Sequence, residues 1–305
     1  MHNILIDTDI GGDVEDAFAV TLGALSFVVT ITGITTVTGD TVLRARIAGK
    51  LLSILSKSKV PIYAGIGNPE QMGGWEGKGI LVKDNSTVDI PTNAPVFIAQ
   101  QVNKRPKAIT LIGLGPLSNI AKALEIDPDL PKKVKRLVLM GGFFKQQNYE
   151  GDKLPLSFEY NFCNDTKAFR IILKANFPLH ILPGDATFIK ESQWNQKELS
   201  LLEKSQKPIT KTLMKLAGIW YKNLEITMKK AHQPERFAVP WLNDSILMAY
   251  ILNPRLFTER QLKVSYQLVD NRFPLFREDK EGFLVTRIIP RSYKKCKSFI
   301  LRQLI

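Results

Sequence analysis

Short apolar runs alternate with longer periodic segments through the first two thirds of the chain. Ile4-Leu5-Ile6, Val29–Thr36, Ala108–Gly113, Val134–Met140 and Leu179–Leu182 read as strands. Helical spacing of apolar positions follows several of them, at Ala17-Phe18-Val20-Leu22, Val42–Leu55 and Leu117–Leu124. This βα alternation predicts an α/β fold with a mostly parallel central sheet flanked by helices. Near-continuous apolar strands such as Leu137-Val138-Leu139-Met140 suit a sheet covered on both faces.

The pattern then becomes helical around residues 196–252, with a long helix expected at Ile209–Lys230 and a shorter one at Ser245–Leu252. Asn253-Pro254 stops the latter, because a residue preceding proline disfavours helical geometry. Lys263–Val269 and Phe283–Ile289 read as a strand pair joined by a charged turn at Arg277–Gly282. No internal repeat or linker divides the chain, so residues 1–305 are expected to form a single domain that ends in a basic tail, 287–305. Two polar, glycine-rich loops, Gly65–Ser86 and Gly141–Glu159, are candidates for binding loops.

Composition narrows the class. With 305 residues and 44% hydrophobic positions the chain can bury a large core. No apolar run reaches the roughly 18 residues of a membrane helix. The start lacks a signal-peptide pattern because Asp7 and Asp9 arrive too early, so a cytoplasmic location is expected. Cys163 and Cys296 are too few and too far apart for a disulfide framework or a zinc site. The net charge of +13 raises the question of polyanions. From Arg287 onward there are six basic residues and no acid, yet only Tyr293 and Phe299 as aromatics and no nucleic-acid motif. A solvated basic surface is therefore preferred to a nucleic-acid partner.

Chemistry concentrates just after the first strand. Asp7-Thr8-Asp9-Ile10-Gly11-Gly12-Asp13-Val14-Glu15-Asp16 places five carboxylates within ten residues. They repel one another unless a cation neutralises them, and a hard divalent metal with oxygen ligands is the natural answer. Acids at a helix start also favour the positive end of the dipole, which accounts for Glu15 and Asp16 but not for Asp7 and Asp9. The carboxyl end of a strand is where open α/β sheets usually bind ligands. Gly113–Asn119, Glu159-Tyr160-Asn161 with Asn164-Asp165, and Asn243-Asp244-Ser245 likewise sit at strand ends or helix starts. Taken singly, Ser118, Asp165 and Asp244 are respectable helix-cap or first-turn residues.

In order, these segments resemble the nucleoside hydrolase family (inosine–uridine preferring nucleoside N-ribohydrolases). The opening Asp-x-Asp-x-Gly signature appears here with a longer loop. Gly33–Asp40, Thr110–Ala121, Leu137–Gly142, Glu159–Asn161, Gly184–Thr187 and Asn243–Ser245 complete the series over about residues 3–255. The resemblance implies a Rossmann-like nucleoside hydrolase fold and hydrolysis of the N-glycosidic bond of ribonucleosides to free base and ribose. It implies a calcium ion held by Asp9, Asp16, the Leu114 main-chain carbonyl and Asp244. Asp9 would take a proton from water acidified by the metal. Glu159 and Asn161 would bind ribose hydroxyls, with Glu15, Asp40 and Asn243 also on the substrate, and Asp7 would orient the loop. A homodimer or homotetramer is implied as well.

Four positions depart from the family pattern. Glu15 replaces an aspartate, Asp40 an asparagine, and Asn243 and Trp75 stand where histidines are usual. Asparagine cannot titrate, so it cannot protonate a departing base. Of the three histidines, His2 precedes the first strand, His180 lies in an apolar strand, and His232 is the one candidate substitute. Trp75, Trp220, Tyr221 and Trp241 are candidates to stack on the base instead, though each also suits core packing. The alternative is a catalytically weak protein of the same fold that binds nucleosides or a related riboside. Asp7-Thr8-Asp9 is also compatible with a haloacid-dehalogenase-type phosphatase, but that reading leaves Asp16 and Asp244 unexplained.

Overall fold

The computed structural model of the chain describes residues 1–81, 89–149, 152–230 and 241–305. Its centre is a nine-stranded sheet. The strands of this sheet are β1 (His2–Thr8), β2 (Val29–Thr36), β3 (Ile62–Ala64), β4 (Ile109–Gly113), β5 (Arg136–Met140), β8 (Leu179–Leu182), β9 (Phe257–Val269), β10 (Phe273–Glu278) and β11 (Phe283–Pro290). A separate two-stranded ribbon is made by β6 (Asn148–Tyr149) and β7 (Asp152–Lys153). The helices are α1 (Glu15–Leu25), α2 (Thr41–Ile54), α3 (Ala94–Lys104), α4 (Ser118–Ile126), α5 (Leu130–Lys133), α6 (Thr166–Lys174), α7 (Gln196–Glu203), α8 (Pro208–Lys230), α9 (Asn243–Leu252) and α10 (Tyr293–Leu304).

The order across the sheet is β10-β9-β11-β8-β5-β4-β1-β2-β3. Every neighbouring pair from β11 to β3 is parallel, and β9 runs antiparallel to both β10 and β11. This is the single, mostly parallel α/β domain expected from the pattern of the chain. Alternation along each strand feeds two cores. Ile4 and Ile6 of β1 join the side covered by α1, α2, α8, α9 and α10, whereas Leu5 joins the side covered by α3, α4 and α6.

After β1 the chain builds β2 and β3 to one side, then returns to lay β4, β5 and β8 on the other. The sheet therefore reverses direction between β1 and β4, the point at which such sheets open a crevice beyond the carboxyl ends of their strands. Leu114 N donates to Asp7 O (2.8 Å), holding those two strand ends together at the crevice floor.

The carboxyl-terminal third differs from expectation in two respects. The strand pair exists, since β9 and β11 are hydrogen-bonded, but β10 lies between them in the chain and contains Arg277 and Glu278. The turn is confined to 279–282, where Gly282 N donates to Asp279 O (3.0 Å). A Cβ on Gly282 would meet Val264 O at 2.2 Å, so only glycine fits that turn. The expected basic tail, 287–305, is the end of β11 followed by α10. Cys296, Ile300 and Leu304 of α10 are buried, with the helix packed against α9 and α1. Its lysines face outward because the apolar positions recur at helical spacing, except Lys297, which donates to Gln193 O (2.7 Å) and Glu198 (2.9 Å). Among the described residues no helix is long and apolar enough to cross a membrane.

Candidate active site

Beyond the carboxyl ends of β1, β4 and β5 lies a cavity of about 480 Å³. Its buried end is acidic. Asp9 and Asp16 enter from the loop after β1 and the first turn of α1, Asp244 and Asn243 from the first turn of α9, and Leu114 from the residue after β4. Glu15 joins them, and all four carboxylates are buried.

Two glycines let the loop close on itself. Gly11 has φ +102°, a left-handed conformation that side chains rarely adopt. A Cβ on Gly115 would stand 2.9 Å from Asp9 Oδ1, so glycine there admits the carboxylate. Arg44 of α2 fastens the loop from behind. Its Nε donates to Thr38 O (2.7 Å), and its Nη1 to Ile10 O (3.0 Å) and to Asp9 O. This buried arginine had no assigned role in the sequence. The available signal was its place on the inward face of α2, one turn before Ala48, where an apolar residue is the rule.

Burial and mutual repulsion dominate the electrostatics. Asp9 is raised by burial against the opposing pull of Arg44. Asp16 and Asp244 are raised well above the carboxylate range, first by burial and then by repulsion, led by Asp9 for the former and Asp16 for the latter. Burial, Asp13 and Asp16 push Glu15 up in the same way. Its Oε2 has no hydrogen-bond partner, while Oε1 accepts from Asn243 Nδ2 (3.3 Å). Asn243 thus orients Glu15.

Below this cluster, Asp7 accepts from Thr35 Oγ1 (2.6 Å) and Asn119 Nδ2 (2.8 Å), and burial raises it to about 7. Asn119, fully buried, also bonds Thr36 O (2.9 Å) and accepts from Ile66 N (2.8 Å). It ties β1, β2 and the loop after β3 together, a role invisible in its own short motif. Glu159 Oε1 accepts from Phe162 N (2.9 Å) and Oε2 from Cys163 N (3.1 Å); burial outweighs these bonds and raises it to about 7. Asn161 Nδ2 donates to Leu114 O (2.8 Å) and Met140 O (3.0 Å).

Aromatic residues wall the more open part of the cavity. Trp75 Nε1 donates to Gly12 O (2.9 Å), and Trp220 Nε1 to Asp13 Oδ1 (3.0 Å). Trp241 packs edge-on to Phe188, with centroids 5.4 Å apart. The cavity wall therefore gathers Asp9, Glu15, Asp16, Leu114, Glu159, Asn161, Asn243, Asp244, Trp75, Trp220 and Trp241. Two candidates stand elsewhere. Asp40 caps α2, accepting from Leu43 N (2.9 Å). Tyr221 lies behind Trp220, edge-on at 5.0 Å. Asp165 caps α6 through Ala168 N (2.9 Å) and accepts from Ser118 Oγ (2.6 Å). His232 lies outside the described residues, as do the ends or turns of the two glycine-rich loops at 82–86 and 150–151.

A model of the inosine-uridine preferring nucleoside hydrolase family matches residues 4–282. The chain belongs to this family. It is accordingly an N-glycosyl hydrolase by family. A curated relative, the pyrimidine-specific ribonucleoside hydrolase RihA of Shewanella sp. (strain ANA-3), is 27% identical over 312 residues, covering 92% of this chain and 93% of its own. Among solved structures, a plant nucleoside hydrolase superposes with TM-score 0.82 at 23% identity, covering 99% of this chain and 98% of that one. The purine-preferring ribonucleoside hydrolase from Gardnerella vaginalis gives TM-score 0.79 at 20% identity, with 99% and 98% covered. At these identities the two structures establish the fold of this nucleoside hydrolase.

The oxygen donors suit a hard divalent cation in charge and chemistry: three buried carboxylates that repel one another beside a main-chain carbonyl. Among the described residues, however, no three carboxylate, imidazole or thiolate side chains form a ready-made metal cluster. Two of the donor oxygens have partners within the protein. Asp16 Oδ1 accepts from Thr8 Oγ1, and Leu114 O accepts from Asn161.

Proposed function

We propose that this nucleoside hydrolase cleaves ribonucleosides with a bound calcium ion and with Asp9 as the general base. The observation that carries this reading is the set of mutually repelling, buried carboxylates gathered where the sheet changes direction. Asp9, Asp16, Asp244 and the Leu114 carbonyl would hold the cation. When bound, it acidifies water and anchors ribose hydroxyls.

The remaining steps belong to the chain. Asp9, held at its main-chain carbonyl by Arg44, takes a proton from the attacking water, whose oxygen bonds the anomeric carbon as the C–N bond breaks; the electron pair of that bond leaves on the base nitrogen, which takes up a proton from solvent. Surrounding carboxylates favour the positive charge that develops on the sugar. Asn161 spends both amide protons on main-chain carbonyls, which leaves its Oδ1 to accept from a ribose hydroxyl. Glu159, Glu15 and Asn243 complete the polar shell around the sugar, and Trp75, Trp220 and Trp241 the wall for the base.

The test is release of free base and ribose from purine and pyrimidine ribonucleosides, with calcium and with chelator. Calcium-dependent release supports the proposal. No release from a folded, calcium-loaded protein would replace it with a riboside-binding function.

A further inference from the structure

The described lining of the cavity is rich in acids. Among the described residues lining it, seven carry carboxylates and only Arg44 carries a positive charge. That guanidinium is committed to the main-chain carbonyls of Thr38, Ile10 and Asp9. Three of the seven acids, Asp9, Asp16 and Asp244, are the proposed cation ligands, whereas Asp13 and Glu76 stand outside that set.

These two carboxylates lie beyond the ribose end. Asp13 is exposed at the cavity wall and accepts from the indole of Trp220 (3.0 Å). Glu76 follows Trp75 in the chain, and its Oε1 accepts from Gly73 N (2.7 Å). Trp75 itself donates to Gly12 O (2.9 Å), so both indoles turn their N–H edge toward the acidic loop. An indole that donates to an anion or carbonyl becomes richer in π-electrons. Aromatic faces next to carboxylates are the chemistry that recognises flat organic cations. The same field disfavours an anionic ligand, such as a nucleoside carrying a phosphate.

We infer that the preferred substrates are ribosides whose base bears a fixed positive charge, such as N-ribosylpyridinium ions or N7-alkylated purine ribosides. The inference rests on the hydrolase reading above and names the substrate class of that same site. The bond changes favour it too. As the C1′–N bond breaks, its electron pair returns to the ring nitrogen and neutralises the cation, so the base departs neutral and takes up no proton. Water supplies the hydroxyl on C1′, and its other proton passes by way of Asp9 to solvent. One cation and one water give ribose, a neutral heterocycle and one proton.

Binding and turnover are measured separately, so that the two readings fail separately. Binding uses a matched pair of carbon-linked ribosides that cannot be hydrolysed. One carries N-methylpyridinium and the other toluene, both joined through the ring position meta to the methyl group. Tryptophan fluorescence of the calcium-loaded full chain reads the affinities. The cation is expected to bind at least about tenfold more tightly, the worth of one desolvated cation–π contact. Asp13→Asn keeps the indole acceptor and Glu76→Gln keeps the bond to Gly73, and each is expected to shrink that preference several-fold. Equal affinities, or a preference unmoved by both substitutions, would overturn the inference whatever the turnover data show. In the turnover arm, kcat/KM is compared for N-ribosylpyridinium, uridine and inosine. A clear lead for the cationic riboside supports the inference, and a lead for the neutral nucleosides overturns it while leaving the hydrolase reading in place. If none of the three is cleaved, the hydrolase reading falls, and the inference about ligand charge is decided by the matched pair.

Discussion

Helix α9 touches two polar clusters built on opposite principles, the first buried and the second only partly so. At its first turn, Asn243 and Asp244 meet the acidic loop, where carboxylates outnumber positive charges and Glu15 Oε2 has no partner. Tyr250, about 9 Å further along the helix at 1.5 Å per residue, anchors the second cluster. Its hydroxyl donates to Glu259 Oε1 (2.8 Å), accepts from Arg136 Nη1 (2.8 Å) and lies 3.0 Å from His180 Nδ1. Arg136 also stacks over the Tyr250 ring at 5.1 Å. Burial, reinforced by Arg136, lowers His180 to about 4, so the imidazole is neutral at physiological pH and one guanidinium balances one carboxylate. A balanced network spends its polarity on holding strands and helix together. An unbalanced one is destabilising by itself and is explained by a ligand that brings the missing charge. His180 and Asp244 both look like functional residues in a list, and only the balance of charge around each separates them.

Substitutions can break this contrast at either end. The largest effect is expected from Asp9→Asn, which should lower kcat by about a thousandfold, within the usual range for a general base. Its circular dichroism should match the parent, and normal turnover would remove Asp9 from the mechanism. Arg44→Met comes next. Losing three bonds to loop carbonyls should misplace Asp9 and cost roughly 10- to 100-fold in kcat/KM. An unchanged value would make Arg44 a packing residue only.

Calcium should raise the melting temperature by roughly 5–10 °C at a concentration about a hundredfold above Kd. The gain should be larger at pH 8 than at pH 5, because Asp9, Asp16 and Asp244 are all raised and protons compete with the cation at low pH. A gain independent of pH would argue against these ligands.

Glu159 sharpens the comparison further. Its folded value of about 7 exceeds the ordinary 4.5, so between those values the folded state holds the extra proton. Stability of the metal-free protein should therefore fall as pH rises through that window, by on the order of 3 kcal/mol at about 1.4 kcal/mol per pKa unit. Glu159→Gln should flatten that part of the slope, measured by thermal melts at several pH values. The smallest effect lies in the balanced cluster. Tyr250→Phe should cost about 1–3 kcal/mol in stability and leave kcat unchanged. A loss of activity there would mean that the two ends of α9 are coupled.

Sequence patterning reached most of the fold because it depends on local periodicity. β8 was legible residue for residue at Leu179–Leu182, and α2 to within one residue at each end. The misreadings have tertiary causes. Glu259 and Arg260 hide the first half of β9, because their partners, Tyr250 and Glu278 on the neighbouring strand (3.0 Å from Arg260), come from elsewhere in the chain. The tail looked solvated because basic residues are frequent in it, while its buried apolar positions Cys296, Ile300 and Leu304 make sense only against α9 and α1.

For the candidate site, the sequence alone determined which residue types gather after β1, since five acids in ten residues cannot be a neutral surface. It also marked Glu159 and Asn161, through their place between a strand and a helix. The tertiary structure decided their partners. It turned Asn243 toward Glu15, Asn161 toward Leu114, and Asp40 back onto its own helix. It brought Arg44 behind the acidic loop and Trp220 against Asp13 from more than two hundred residues away in the chain. Periodicity and composition are properties of neighbouring residues, whereas hydrogen bonding, burial and repulsion depend on distances that only the folded chain sets.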